Sequence, residues 1–226
     1  MRRRFVTLFL TLVLAAGCTK VETTSGGGEH PWTVPGVLRV GLQTDVKTLN
    51  PLLAGDTTDS FVTRLLFDVL IDNDEHGNPV PDLAATVPTL ENGGISKDGL
   101  TITYHLRKHV KWQDGAPFTS RDVKFTWQAL MSDRNNVVSR RGYDEVASID
   151  TPDAGTVVVH LKERFAPFVD TFFAESDSPY PIVPAHLLAR YENINQVPFN
   201  TNPVGTGPFI FVKWTRGVGI DLKANP

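Results

Sequence analysis

Apolar and polar side chains alternate strictly from Leu100 to Arg107. Leu100, Ile102, Tyr104 and Leu106 alternate with Thr101, Thr103, His105 and Arg107. That period of two predicts a strand with one buried face. Val110 and Trp112 continue the apolar set, and Asp114-Gly115 supplies a turn. The period then becomes helical. Val123, Trp127, Leu130 and Met131 share one helix face. Thr119 stands as its N-cap with Asp122 at N3, the two halves of a capping box, and Phe118 and Val123 sit where a hydrophobic staple forms. A second stripe, Phe61, Val62, Leu65, Leu66, Val69 and Leu70, predicts a helix entered from a cap within Asp56–Asp59 and running through Ile71. Its width suits packing on a sheet.

Shorter signals fill the rest. Val37–Gly41, Val146–Ile149, Thr156–Leu161 and Phe209–Trp214 read as strands. The second and third are joined by a turn at Pro152-Asp153-Ala154-Gly155. Ala166–Glu175 reads as a helix that buries Phe168, Val169, Phe172 and Phe173. Pro184 suits N1 of a short helix. Ser132–Gly142 is polar and reads as a loop. The prediction is a mixed α/β domain.

Composition narrows the function classes. A formal net charge of −3 leaves no basic surface for nucleic acid. The single cysteine, Cys18, allows neither a disulfide framework nor a cysteine metal site. Arg2-Arg3-Arg4 followed by apolar Phe5–Ala16 reads as a targeting segment, too short to span a bilayer, which takes about 20 apolar residues. Leu14-Ala15-Ala16-Gly17-Cys18 resembles the lipobox of bacterial lipoproteins. The resemblance implies a diacylglyceryl group on Cys18 and attachment to a membrane through that lipid. The competing reading is an ordinary signal peptide with a chance cysteine. Thr19 follows, so an inner-membrane retention signal is not evident. Residues 19–36, with Gly26-Gly27-Gly28 and little apolar content, read as a flexible tether.

The motifs along the remaining chain resemble those of the family 5 extracellular solute-binding proteins, the peptide- and nickel-binding lipoproteins of ABC importers. The matching residues are Leu49-Asn50-Pro51, Pro79-Val80-Pro81-Asp82-Leu83-Ala84, Asp98-Gly99, Leu106-Arg107, Val110-Lys111-Trp112, Asp114-Gly115, Pro117-Phe118-Thr119, Asp122-Val123, Ile182-Val183-Pro184 with His186, and Pro203-Val204-Gly205-Thr206-Gly207-Pro208-Phe209. Ser120 stands where the family has a small Ala. The resemblance implies a type II periplasmic-binding-protein-like fold. Residues 37–226 would form part of the first lobe of a two-lobed clamp, truncated before the second lobe and the C-terminal return. It implies capture of peptide or another small solute at the outer face of a membrane, delivery to ABC permease subunits, no cofactor and no enzymatic activity. It places the solute near Asp56, Thr57, Tyr143, Ser178 and Tyr180, of which the tyrosines offer an apolar face with a hydroxyl. One lobe holds only half of the contacts, so the chain alone is expected to bind weakly. A transport-inactive surface lipoprotein with a structural or interaction role is the alternative.

Catalytic and metal readings find little support in the residues. His105 and His109 on a continuous strand would stand roughly 13 Å apart, too far to share a metal. No Gly-x-Ser-x-Gly elbow is present. His160 reads as a strand-face residue and His186 as a structural one. Pro208 offers no N–H to a phosphate, so Gly205 and Gly207 read as serving a tight backbone turn.

Overall fold

A computed structural model describes residues 33–176 and 179–226. The targeting segment, Cys18 and most of the tether lie outside these residues, as does Ser178. Leu42–Pro226 forms one compact unit, distinct from the residues up to Gly41. Within the earlier unit, the strand expected at Val37–Gly41 is absent. Residues 37–41 take no strand conformation, and Leu38 is 85% exposed.

The centre of the main unit is a three-stranded antiparallel sheet. Its strands are β3 (Thr101–His105), β4 (Val146–Asp153) and β5 (Thr156–Leu161), in the order β3-β5-β4. The period of two decides which side chains enter the core. Ile102 faces Val159 and Tyr104 faces Val157 across β3 and β5, and all four are buried. On β4, Val146 and Ile149 are three apart yet both buried. A register shift between Val146 and Ser148 restores the phase. Each apolar side chain buried this way contributes about 1.5–3 kcal/mol.

The strand does not run on to Trp112. Leu106 bridges to Ala84, His109 takes a left-handed φ of 65°, and Trp112 donates its N–H to the Ala116 carbonyl. The helix α2 (Ser120–Met131) packs on β4 and β5. Its capping box forms: the Thr119 N–H donates to Asp122 Oδ2 at 2.8 Å. Asp122 Oδ1 accepts the Ala185 N–H at 2.9 Å, so the same carboxylate orients the short helix α3 (Ala185–Leu188). Pro184 precedes that helix as its N-cap, one position earlier than expected.

The first helix, α1 (Thr57–Leu66), ends before the predicted Ile71. The Leu66 carbonyl accepts the Gly207 N–H at 3.0 Å. Past this point the chain straightens, and β1 (Ile71–Asn73) pairs with β2 (Pro79–Pro81). A Cβ on Gly205 would stand 1.7 Å from the Leu66 oxygen. Neither Gly205 nor Gly207 has positive φ. These glycines permit close approach of two backbones, rather than the tight turn the motif suggested. The last strands, β6 (Phe209–Thr215) and β7 (Gly219–Ala224), form a hairpin. Among the described residues no helix is long and apolar enough to cross a membrane.

Ala166–Glu175 is not a helix but a series of turns. Tertiary contacts outweigh its periodicity. The Phe173 carbonyl accepts the Leu70 N–H at 2.7 Å, the Glu175 N–H donates to the Ile71 carbonyl at 2.9 Å, and Ala174 bridges Ile71 in parallel. Helical backbone could not make those bonds. Phe168, Phe172 and Phe173 are buried as expected, Val169 only partly. They join Tyr104, Tyr143 and Tyr180 in one aromatic cluster, with ring centroids 4.4–6.0 Å apart.

Two tyrosines of this cluster differ in one respect. The Tyr104 hydroxyl is buried without a partner. The Tyr143 hydroxyl accepts the Phe173 N–H at 3.0 Å and donates to the Thr171 carbonyl at 3.3 Å. The same edit therefore has opposite signs. Tyr104→Phe is expected to stabilise the chain by about 1 kcal/mol and Tyr143→Phe to destabilise it by about the same. Urea denaturation of both variants checks this, and shifts of equal sign would contradict it.

Candidate functional site

Residues along α1, the straight segment after it and Tyr180 of the aromatic cluster bound a groove of about 700 Å³. Its apolar wall carries Phe61, Phe67, Val69 and Val138. Phe61 and Val138 are 43% and 62% exposed at its rim. The loop bearing Val138 is shaped from behind. Arg140 donates to the carbonyls of Leu130, Ser132 and Asn135, and buried Asn135 bonds Ala129 and Ile194.

The expected contact residues divide. Asp56 and Thr57 line the groove. Asp56 is the N-cap of α1, and both of its oxygens are engaged, Oδ1 by the Asp59 N–H at 2.9 Å and Oδ2 by Lys47 Nζ at 2.9 Å. The backbone bond and the lysine hold its carboxyl below the ordinary range. Tyr180 also lines the groove, but its hydroxyl is committed. It donates to the Ser139 carbonyl at 3.0 Å and accepts the Ser139 N–H at 2.8 Å, which fastens the rim loop to the wall. Tyr143 is 2% exposed and lies in the core, away from the lining. Ser178 falls outside the described residues.

Four lining carboxylates were not singled out from the sequence: Asp68, Asp72, Asp82 and Glu175. The structure gathers them from three segments. Asp68 follows α1, where its N–H donates to Thr206 Oγ1 at 3.3 Å and its carbonyl accepts the Ile182 N–H at 3.2 Å. Asp72 lies on β1. Asp82 follows β2 and accepts the Val69 N–H at 3.2 Å. Glu175 arrives through the Ala174 bridge and pairs with Arg64, whose guanidinium also lies 3.8 Å from Asp72. The signal for Asp68 was a lone acid inside the apolar run Leu65–Ile71. Burial pushes the Asp82 carboxyl up to about 7, and the charge of Asp68 adds to the rise. Burial also raises Asp68 and Glu175.

The histidines stand elsewhere. His160 Nε2 lies 3.0 Å from Asp150 on the outer sheet face, and His186 Nε2 lies 2.8 Å from Asp114. Among the described residues no group of three His, Cys, Asp or Glu could hold a metal ion. The groove thus offers hydrogen-bond acceptors, negative charge and apolar area.

A family model described as bacterial extracellular solute-binding proteins, family 5 middle, matches residues 78–226. The chain belongs to this family. Protein XP55 of Streptomyces lividans is 34% identical over 95% of this chain, which covers 37% of that protein. The oligopeptide-binding protein OppA of Bacillus subtilis is 27% identical over the whole chain, which covers 43% of it. Among solved structures, NikZ of Campylobacter jejuni, in complex with Ni(L-His), superposes with a TM-score of 0.68 at 33% identity, covering 80% of this chain and 34% of NikZ. AppA of Bacillus subtilis, solved with a nonapeptide, gives 0.70 at 25% identity, covering 80% and 35%. The fold of this family 5 chain is that of part of a type II periplasmic binding protein. The chain spans about a third to two fifths of the length of these relatives.

The raised carboxyls link stability to pH. In the folded chain Asp82 keeps its proton up to about pH 7, whereas its ordinary value is 3.8. Between those values the folded state binds more protons than the unfolded one, so stability falls as pH rises through this window. Asp68 and Glu175 act in the same direction. The urea midpoint is expected to drop between pH 5 and pH 8, and Asp82→Asn to lessen the drop. An unchanged slope in the variant would show that Asp82 does not carry it.

Proposed function

We propose that this chain forms the solute-holding face of one lobe of a lipid-anchored binding protein, which captures peptides or a similar small solute outside the membrane and delivers them to an ABC permease. The observation that carries the reading is the groove itself. It is lined by Asp56, Thr57 and Tyr180, the positions to which the family resemblance assigns solute contact, and it lies in a chain that belongs to family 5. A second lobe would close over it by hinge motion. The apolar rim at Phe61 and Val138 is the kind of surface that a facing lobe and a bound solute cover. NikZ was solved with Ni(L-His) and AppA with a nonapeptide, a small solute and a peptide of the kinds proposed here.

On this reading the groove binds peptide weakly without its opposing lobe. Adding a tripeptide at millimolar concentration to the isotopically labelled chain should move the amide resonances of Phe61, Arg64 and Val138. If shifts appear only outside the groove, or not at all, the solute-holding assignment fails. The anchor is tested separately. In a bacterial host the chain should fractionate with membranes, and Cys18→Ala should release it. Membrane association that survives the substitution would dismiss the lipid.

A further inference from the structure

We infer that the groove selects positively charged solutes, such as lysine- or arginine-containing peptides or other amine-bearing small molecules. The inference rests on the solute-holding reading above and names the chemical class that the site prefers. Among the described residues, five carboxylates line the groove, Asp56, Asp68, Asp72, Asp82 and Glu175, against one cation, Arg64. Asp56 is neutralised from outside by Lys47. Arg64 is divided between Glu175 and Asp72.

Asp68 and Asp82 remain. The charged groups acting on Asp82 are Asp68 and Asp72, which repel its charge, and Arg107, which attracts it. Arg107 lies outside the lining, and its Nη2 donates to the Pro81 carbonyl at 2.8 Å. Backbone and hydroxyl donors do not make up the deficit: Asp82 accepts one N–H, from Val69, and Asp68 is bonded by the Thr206 hydroxyl. A bound ammonium or guanidinium would supply the missing positive charge. The apolar wall fits the same guest, because the aliphatic stem of a lysine or arginine packs on Phe61, Phe67 and Val138 while its charged end reaches the carboxylates. An acidic solute would bring like charge beside Asp68 and Asp82.

The test titrates the labelled chain with trilysine, trialanine and triglutamate at pH 7.5 and constant ionic strength, following the Val69, Leu83 and Val138 amides. Trilysine is expected to bind about tenfold or more tighter than triglutamate, with trialanine between them. In the Asp68→Asn, Asp82→Asn double variant, whose folding the amide spectrum reports, the trilysine–triglutamate ratio is expected to fall to about twofold. Equal affinities, or tighter binding of trialanine or triglutamate, would overturn cation selection and leave the peptide-binding reading standing. A ratio undiminished in the folded double variant would also overturn it, because the preference would then reside outside these carboxylates. Should the variant not fold, the ranking of the three peptides on the natural chain still decides. Absence of any groove response to all three peptides would remove both readings.

Discussion

The backbone of Gly205–Gly207 lies against the carbonyl that ends α1, and the groove depends on that contact. The Leu66 oxygen has no helical partner, and the Gly207 N–H takes it at 3.0 Å. The approach leaves no room for side chains: a Cβ on Gly207 would stand 2.6 Å from the Leu66 carbonyl carbon, and one on Gly205 closer still to its oxygen. Between the two glycines, Thr206 presents its hydroxyl to the Asp68 N–H. Gln113 locks the other side. Its N–H donates to the Gly205 carbonyl at 3.0 Å, its Oε1 accepts the Gly205 N–H at 3.2 Å, and its Nε2 donates to the Phe209 carbonyl at 2.8 Å. Segments about 90 residues apart are thereby fixed where α1 stops. That stop turns Phe67, Asp68 and Val69 into the groove floor.

The second constraint is the carbonyl of Phe173. By accepting the Leu70 N–H it commits the chain around Ala166–Glu175 to an irregular path, and the aromatic cluster fills the space a helix would have occupied. The same path delivers Glu175 to Arg64 and sets Tyr180 against Tyr143. Core packing and groove chemistry are therefore coupled. The rings on the core side fix where the carboxylates stand on the groove side.

Much of the fold was legible because local pattern and tertiary demand agree there. The alternation at Leu100–Leu106 and Thr156–Leu161 gives β3 and β5, and Thr119 with Asp122 gives the start of α2. Legibility fails where a distant partner decides. Nothing near Leu66 shows that Gly207 will cap the helix early. The 3.6-residue spacing of Phe168, Phe172 and Phe173 serves a buried cluster as well as a helix face. Val37–Gly41 has strand composition, yet composition does not supply a neighbouring strand. The groove was partly legible through family motifs, which placed Asp56, Thr57 and Tyr180. They could not separate Tyr180 from Tyr143, since an apolar ring with a hydroxyl suits either a solute or a core backbone group. Asp68, Asp72, Asp82 and Glu175 are scattered along the chain and meet only through the β1–β2 hairpin and the Ala174 bridge.

Those carboxylates work against the fold that positions them. Burial raises three of the four, so charging them in the folded chain costs more than charging them in water. A core built for stability alone would replace Asp68 and Asp82 with apolar residues, which the surrounding Phe67, Val69 and Leu83 would accept without a desolvation penalty. The chain instead keeps two acids beside one another and shields them with a hydroxyl and a single backbone N–H. Local rules broken without a gain in stability mark positions kept for another purpose. On the proposal that the groove selects cations, the positive charge of the guest would offset that cost.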